Sequence, residues 1–100
     1  MENQFGSRIR KLRIDNRLLQ RQIASVLEID TPMLSKIERG ERKAKREQVV
    51  SFAKIFKVDK ETLLTLWLAD QVVEMVKGDE NALNAMLLAE EQIKYIKVKK

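Results

Sequence analysis

The side chains best suited to bind a partner lie within residues 20–40, Gln-Arg-Gln-Ile-Ala-Ser-Val-Leu-Glu-Ile-Asp-Thr-Pro-Met-Leu-Ser-Lys-Ile-Glu-Arg-Gly. The apolar positions of this segment are spaced to bury one side of two short amphipathic helices; they are Ile23, Ala24, Leu27, Ile29, Leu34 and Ile37. The other side is left to polar and basic residues, namely Gln20, Arg21, Thr31, Pro32, Ser35, Lys36 and Arg39. This polar side is therefore free to contact a second molecule.

Start and stop signals for helices within this segment indicate a helix-turn-helix. Asp30 or Thr31 can cap the second helix, and Pro32 suits its first turn, where a missing N–H costs nothing. Gly40 suits the position just after the helix ends. Two short helices joined by a tight turn, the second with small polar and basic residues outward, present a recognition helix to DNA.

The formal charge of +5 is confined to the half of the chain that contains this motif. Residues 1–50 hold 12 Lys and Arg against 7 Asp and Glu, whereas residues 51–100 hold 8 of each, and all eight arginines lie in the first half. The planar guanidinium suits bidentate contacts to phosphate or guanine. A solvated basic surface is common in its own right, but its coincidence with the motif favours nucleic acid as the partner.

Composition excludes several other classes of protein. One hundred residues with 44% apolar content form one domain with a modest core. Without Cys or His there is no disulfide framework, thiol nucleophile or zinc site. The first residues lack a signal-peptide pattern, and no apolar run approaches the ~18 residues of a membrane span. We expect a cytoplasmic protein with no metal, no cofactor and no membrane partner.

Apolar periodicity predicts an all-α chain with no internal repeat or flexible linker. We assign residues 1–68 to a helix-turn-helix DNA-binding domain and residues 69–100 to a helical extension that continues the same domain. The extension includes the end of the fifth helix and the sixth helix. The predicted helices cover residues 2–16, 19–27, 32–39, 46–56 and 60–77, and the sixth follows Gly78 with Asp79 as its cap. Their expected core positions include Phe5, Ile9, Leu12, Val49, Ala53 and Phe56.

The fifth and sixth helices carry more apolar residues than a small monomer can bury. On the fifth helix one face holds Leu63, Leu66, Trp67 and Val73, and another holds Leu64, Leu68, Val72 and Val76. We expect one face to serve the core and the other a partner. The sixth helix has Ala82, Met86, Ala89, Ile93 and Ile96 at a 4-3-4-3 spacing, which suits packing on another helix. It either covers the fifth helix within one subunit or forms a dimer. The candidate interface residues are Leu64, Leu68, Val72, Met75, Val76, Met86 and Ile93.

Three segments occur in a register shared with a known family: Phe5-Gly-Ser-Arg-Ile-Arg-Lys-Leu-Arg, Leu18-Leu-Gln-Arg-Gln-Ile-Ala and Met33-Leu-Ser-Lys-Ile-Glu-Arg-Gly. Over residues 4–68 the chain resembles the lambda-repressor-like helix-turn-helix family, also called the XRE family. That resemblance implies a five-helix lambda-repressor-like domain, here with an extra C-terminal helix. In length and simplicity the chain also resembles the small controller proteins of restriction-modification systems, which are dimeric repressors or activators.

The resemblance implies a role for each matching position. Base edges in the major groove would be read by Thr31, Pro32, Ser35 and Lys36. The phosphate candidates are Gln20, Arg21, Arg39, Arg42, Lys43 and Arg46, with Gln20 assisted by the helix N-terminus. The charged segment 41–47 is either a solvated loop or, as we favour from its position after the recognition helix, a phosphate contact.

Four positions give specific expectations about geometry. Leu19 replaces the family's usual serine cap, and Ala44 stands where proline is common. Glu28 replaces the usual turn glycine and has to accept a positive φ. Glu38 either touches RNA polymerase, as in an activator, or forms a structural salt bridge, which its setting in the family favours.

The leading hypothesis is a sequence-specific transcriptional regulator that binds a palindromic operator on double-stranded DNA as a homodimer. The alternative is the antitoxin of a toxin-antitoxin pair, which would bind a partner protein through its C-terminal helices. An enzyme is the weakest hypothesis: acidic pairs such as Glu90-Glu91 are neighbours on a helix, and three glycines provide no phosphate-binding loop.

Overall fold

A computed structural model describes residues 3–99, with side chains through residue 97, as six helices without a strand. The helices are α1 (Gln4–Asp15), α2 (Gln20–Leu27), α3 (Thr31–Glu38), α4 (Arg46–Phe56), α5 (Lys60–Val76) and α6 (Ala82–Lys99). The all-α prediction is confirmed, with helix ends within two residues of those expected. The predicted start of the first helix at residue 2 lies outside the described residues. Within the described chain, no helix has the length and apolar character required to cross a membrane.

The core lies where α1 to α5 meet, with α4 and α5 in the most extensive contact. Its buried residues are Phe5, Ile9, Ile23, Ala24, Leu34, Ile37, Ala44, Val49, Phe52, Ala53, Phe56, Leu63 and Leu64. Phe52 packs edge to face on Phe5, with ring centroids 5.9 Å apart, and stacks parallel to Phe56 at 6.3 Å. The expected stripe of α4 omitted Phe52. This residue is fully buried because α1, α2 and α5 all pack on α4, which widens its apolar face.

The ends of α2 and α3 follow the predicted chemistry. The Asp30 carboxylate accepts a hydrogen bond from Met33 N at 2.8 Å, and Gly40 adopts a φ of +75° after α3. Glu28 adopts a φ of +58°, which confirms the expected left-handed conformation at the turn. Leu19 supplies no side-chain cap, but Gln22 Oε1 accepts a hydrogen bond from Leu19 N at 2.7 Å. α2 thus begins and ends as expected, although Leu19 and Glu28 stand in place of the usual serine and glycine.

Gly6 allows α1 to approach the end of α3 closely. A Cβ at this position would lie 2.6 Å from the carbonyl oxygens of both Ile37 and Glu38. That distance is well below van der Waals contact, so only glycine fits here without movement of the backbone. α3 is therefore seated directly on α1.

The first turns of α5 belong to the core, and its second half extends beyond it. Leu63 and Leu64 are both buried because α1 and α4 pack on two sides of this part of α5. The prediction that Leu64 belongs to a dimer interface is therefore wrong, since its side chain is 7% exposed in the single chain. The prediction that Val73 shares the core face is also wrong, because Val73 is 58% exposed.

α6 makes no extensive packing with any of the other five helices. Large apolar side chains along it remain exposed, including Leu83, Leu87 and Ile93. Of the two interpretations of its apolar seam, the one in which α6 covers α5 within one subunit is not the arrangement observed.

Candidate nucleic-acid interface

The predicted base-reading residues lie together on the outward side of α3. Thr31, Pro32 and Lys36 are exposed and Ser35 is half-buried. Their spacing of one and four residues places them on neighbouring turns of one face. Leu34 and Ile37 on the opposite face are buried in the core. The outward face therefore offers hydroxyl, ammonium and small apolar groups, which match base edges in a major groove.

Behind this face, a buried acidic group ties three helices together. Glu38 is only 2% exposed, and it accepts a bidentate pair from Arg13, whose Nε lies 2.7 Å from Oε2 and whose Nη2 lies 3.1 Å from Oε1. Gln20 Nε2 also donates to Glu38 Oε1 at 3.1 Å. The structural salt bridge expected of Glu38 is confirmed. The contact with RNA polymerase proposed for it is wrong, because the carboxylate is not accessible.

The same network orients Gln20 at the first residue of α2. One hydrogen of its amide group is used by Glu38. An amide has two such hydrogens, so the second can still reach a phosphate. Arg13 Nη1 meanwhile donates to Leu18 O at 3.2 Å and holds the chain just before α2. A phosphate contact by Gln20 stays a prediction, and Glu38 is the group that would position it.

Arg39, at the end of α3, is held by two neighbours. Its Nε donates to Glu41 Oε2 at 2.6 Å, and its Nη1 donates to Ser35 Oγ. The hydrogen bond between Arg39 and Glu41 lowers the pKa of the Glu41 carboxyl and raises the pKa of the Arg39 guanidinium. Because the pair is about half exposed, a phosphate can displace Glu41 at little cost. Arg39 therefore bridges a predicted base reader and the loop that follows.

The loop after α3 is hydrogen-bonded to the last turn of α3. Glu41 N and Arg42 N both donate to Lys36 O, at 2.8 and 3.3 Å. Arg42 and Lys43 in this loop are exposed. The hydrogen bonds to Lys36 O thus fix the start of a loop that carries two exposed cations.

Trp67 on α5 fixes the far end of this loop. Its indole Nε1 donates to Ala44 O at 2.8 Å, and Ala44 is itself buried. The guanidinium of Arg46 lies over the Trp67 ring, 5.8 Å from its centroid. The sequence predicted Trp67 as a core residue but not this hydrogen bond, which joins residues 23 positions apart. A fixed loop loses less entropy when its cations contact phosphates.

A family model described as a helix-turn-helix domain matches residues 4–66. The chain belongs to this family. Every predicted DNA contact lies within the matched region, and so do α1 to α4. The match supports the resemblance found in the sequence and DNA binding as the activity of the domain. Comparisons with curated proteins and with solved structures gave no match.

Asp70 ties α5 to the start of the helix-turn-helix domain. Its two carboxylate oxygens accept hydrogen bonds from Gln4 N at 3.0 Å and Phe5 N at 2.8 Å. Asn3 Oδ1 accepts a third from Gly6 N at 2.7 Å. Together they satisfy the N–H groups that the first turn of α1 leaves without intrahelical partners. Asp70 was not among the predicted functional residues, although an acid within the apolar run of α5 is a visible signal.

The remaining candidates are distributed over the surface. Arg21 is exposed on α2, one residue after Gln20. Five of the interface candidates are exposed on the second half of α5 or on α6, namely Leu68, Val72, Met75, Met86 and Ile93. Val76 is half-buried. Their role in a helix-turn-helix dimer stays a prediction.

Proposed function

We propose that this helix-turn-helix protein is a sequence-specific transcriptional regulator that binds a palindromic operator as a homodimer. The observation that carries the proposal is the outward face of α3, where Thr31, Ser35 and Lys36 lie together in front of a buried support. Rigid support behind an exposed polar face is what a helix needs to discriminate between bases. The proposal includes no enzymatic activity and no cofactor.

In this proposal α3 enters the major groove with its N-terminal turns toward the bases. Lys36 donates to the acceptors of a guanine, and Thr31 or Pro32 contacts a thymine methyl group. Arg42 and Lys43 contact the adjacent phosphates and fix the register. Two copies present two recognition helices to half-sites about one helical turn apart, roughly 34 Å.

Binding of this kind depends strongly on salt, because cations on the protein replace counterions on the DNA. If six to ten phosphates are contacted, affinity falls by about 10³ to 10⁵ between 50 and 200 mM salt. The basic residues of the motif, Arg21, Arg39, Arg42, Lys43 and Arg46, together with Gln20, provide the matching donors.

The proposal is tested by a footprint on DNA upstream of the protein's own gene, combined with light scattering of the free protein. Protection of two symmetric half-sites by a dimer supports it. Absence of protection at low salt contradicts it. A controller of a restriction-modification system, the finer role that the sequence resembles, is expected to bind at this upstream position.

Two substitutions separate base contacts from phosphate contacts. Lys36→Ala should relax discrimination at one base pair. A good bidentate contact contributes about 1–3 kcal/mol of binding free energy to that discrimination. Arg42→Ala should weaken binding to all sequences and reduce the salt slope by about one unit. Lys60→Ala, an exposed lysine at the start of α5, serves as the control and should change neither. If Lys36→Ala and Arg42→Ala leave operator and random DNA binding unchanged, the assigned surface is wrong.

The exposed apolar side chains of α6 favour one alternative function, the antitoxin of a toxin-antitoxin pair. In that case α6 binds a heterologous protein while α3 binds DNA. Purification from the native host separates the two proposals. A stoichiometric small toxin bound to the chain supports the antitoxin, whereas a pure homodimer supports the regulator.

A further inference from the structure

The second half of α5 and all of α6 form an arm with a large uncovered apolar surface. Its exposed residues are Leu68, Val72, Val73, Met75, Leu83, Met86, Leu87, Leu88, Ile93, Tyr95 and Ile96. Complete burial of a large apolar side chain corresponds to roughly 60–120 Å², so these partly exposed side chains offer about 400–800 Å². A stable interface needs about 800 Å² from each partner. Since somewhat more than half of an interface is apolar, the arm exposes about as much apolar surface as one side of such an interface contains.

The sizes of the side chains along the α6 seam fit a second copy of α6 in the antiparallel direction. If two helices cross between residues 87 and 88, Ala82 of one faces Ile93 of the other, and Met86 faces Ala89. Within residues 82–93 each large residue then meets a small one, which fills this part of the seam evenly. Ile96, the last residue of the seam, lies beyond the start of the facing helix at Ala82. In a parallel pair Ala82 would face Ala82 and Ala89 would face Ala89, leaving gaps at both levels.

The charges of α6 favour the same direction. Lys97 lies in the last turns of α6, and Asp79 and Glu80 lie just before its start, whereas Lys94 pairs with Glu90 of the same helix at 2.9 Å. An antiparallel pair places Lys97 of one copy beside Asp79 and Glu80 of the other. It also places the positive N-terminus of each helix dipole beside the negative C-terminus of the other, which is favourable. A parallel pair would instead place helix ends of like charge side by side.

We propose that α6 is an antiparallel pairing helix, which joins two copies of this chain through the seam Ala82, Met86, Ala89 and Ile93. This inference deepens the homodimer of the proposed function and depends on it. Leu83, Leu87 and Leu88 lie off the seam, on other sides of α6. In the dimer they pack on the second halves of the two α5 helices, which completes a bundle of four helices.

Cysteine cross-linking tests this arrangement directly, because the chain has no cysteine of its own. Full-length Ala82→Cys and Ile93→Cys variants are expressed separately and also together with different tags, and then oxidised. We expect a disulfide between the two variants when they are co-expressed, and none when either is alone. Circular dichroism and light scattering of the reduced variants check that they fold and associate as the unaltered protein does.

Other outcomes overturn the inference in distinguishable ways. Disulfides between two copies of Ala82→Cys show a parallel pair. A dimer with no cross-link in any combination places the interface elsewhere, and the homodimer of the proposed function then still stands. A monomer overturns both.

A charge reversal provides an independent measurement. Lys97→Glu should raise the dissociation constant of the dimer roughly tenfold, since two symmetric pairs turn repulsive. Adding Glu80→Lys to the same chain should restore it. If the double variant dissociates as readily as the single one, these two residues do not face each other and the register is wrong.

Discussion

Replacing Glu38 by Gln tests whether the buried ion pair holds the recognition helix. The substitution keeps the size of the side chain but removes its charge and replaces one acceptor oxygen by a donor. Arg13 Nε, 2.7 Å from Glu38 Oε2, would then face either an N–H₂ group or a neutral oxygen. The hydrogen bond from Gln20 to Oε1 would compete for that same oxygen.

The magnitude follows from the burial of the two partners. The side chain of Glu38 is 2% exposed and that of Arg13 is 15% exposed. Removing one partner of a buried pair costs about 3–5 kcal/mol, because the other charge stays buried. Arg13 keeps some solvent and its hydrogen bond to Leu18 O, so we expect the low end, about 3 kcal/mol. For a domain of this size that corresponds to a fall in Tm of roughly 12–24 °C.

Urea unfolding followed by the fluorescence of Trp67, the only tryptophan of the sequence, and by circular dichroism measures this cost. Asp15→Asn is the matched control. It also converts a carboxylate into an amide, in the exposed pair that Lys11 and Asp15 form at 3.1 Å. An exposed pair four residues apart on a helix contributes only about 0.3–0.5 kcal/mol. If both variants lose the same small amount of unfolding free energy, the buried pair holds α3 no more firmly than an exposed pair would.

The Glu38→Gln variant should also bind DNA more weakly at temperatures where it remains folded. Gln20 loses its charged acceptor and with it a fixed orientation at the start of α2. Unchanged affinity in a folded variant would show that Gln20 needs no such support.

Three further substitutions test other contacts of the domain. Gly6→Ala should lower the unfolding free energy by about 1–3 kcal/mol, because the new Cβ would lie 2.6 Å from two carbonyl oxygens of α3; an unchanged melting temperature would contradict that close approach. Trp67→Phe leaves Ala44 O without its hydrogen-bond donor, which should lower the unfolding free energy by about 1–2 kcal/mol. It should also weaken binding to operator and random DNA alike in a fluorescence anisotropy titration. Glu28→Gly should increase the unfolding free energy by roughly 0.5–1 kcal/mol and so raise the urea midpoint. The reason is that a residue with a φ of +58° is strained unless it is glycine.

What could be predicted from the sequence is mostly local. The cap at Asp30, the left-handed residues Glu28 and Gly40, and the inward and outward faces of α3 depend on residues within a few positions of each other. Helical periodicity and capping chemistry act over that range, so a single sequence contains them.

What could not be predicted depends on contacts between distant segments. Asp70 caps α1 from 66 residues away, and Trp67 holds Ala44. Periodicity also cannot show where a helix leaves the core. Leu64 and Val73 were placed on the wrong sides for this reason, since burial in α5 changes along its length as well as around its axis.

The two sides of α3 have separate physical roles, and this separation determines how the protein can change its target. Its inner side is fixed by Leu34 and Ile37 in the core and by Glu38 in the ion pair, while Gly6 sets its distance from α1. Its outer side contributes little to folding, because exposed side chains lose little contact when they are replaced. Substitutions at Lys36 and the other outward positions can therefore alter base preference at nearly constant stability, whereas changes at Glu38 first unfold the surface that would read the new bases.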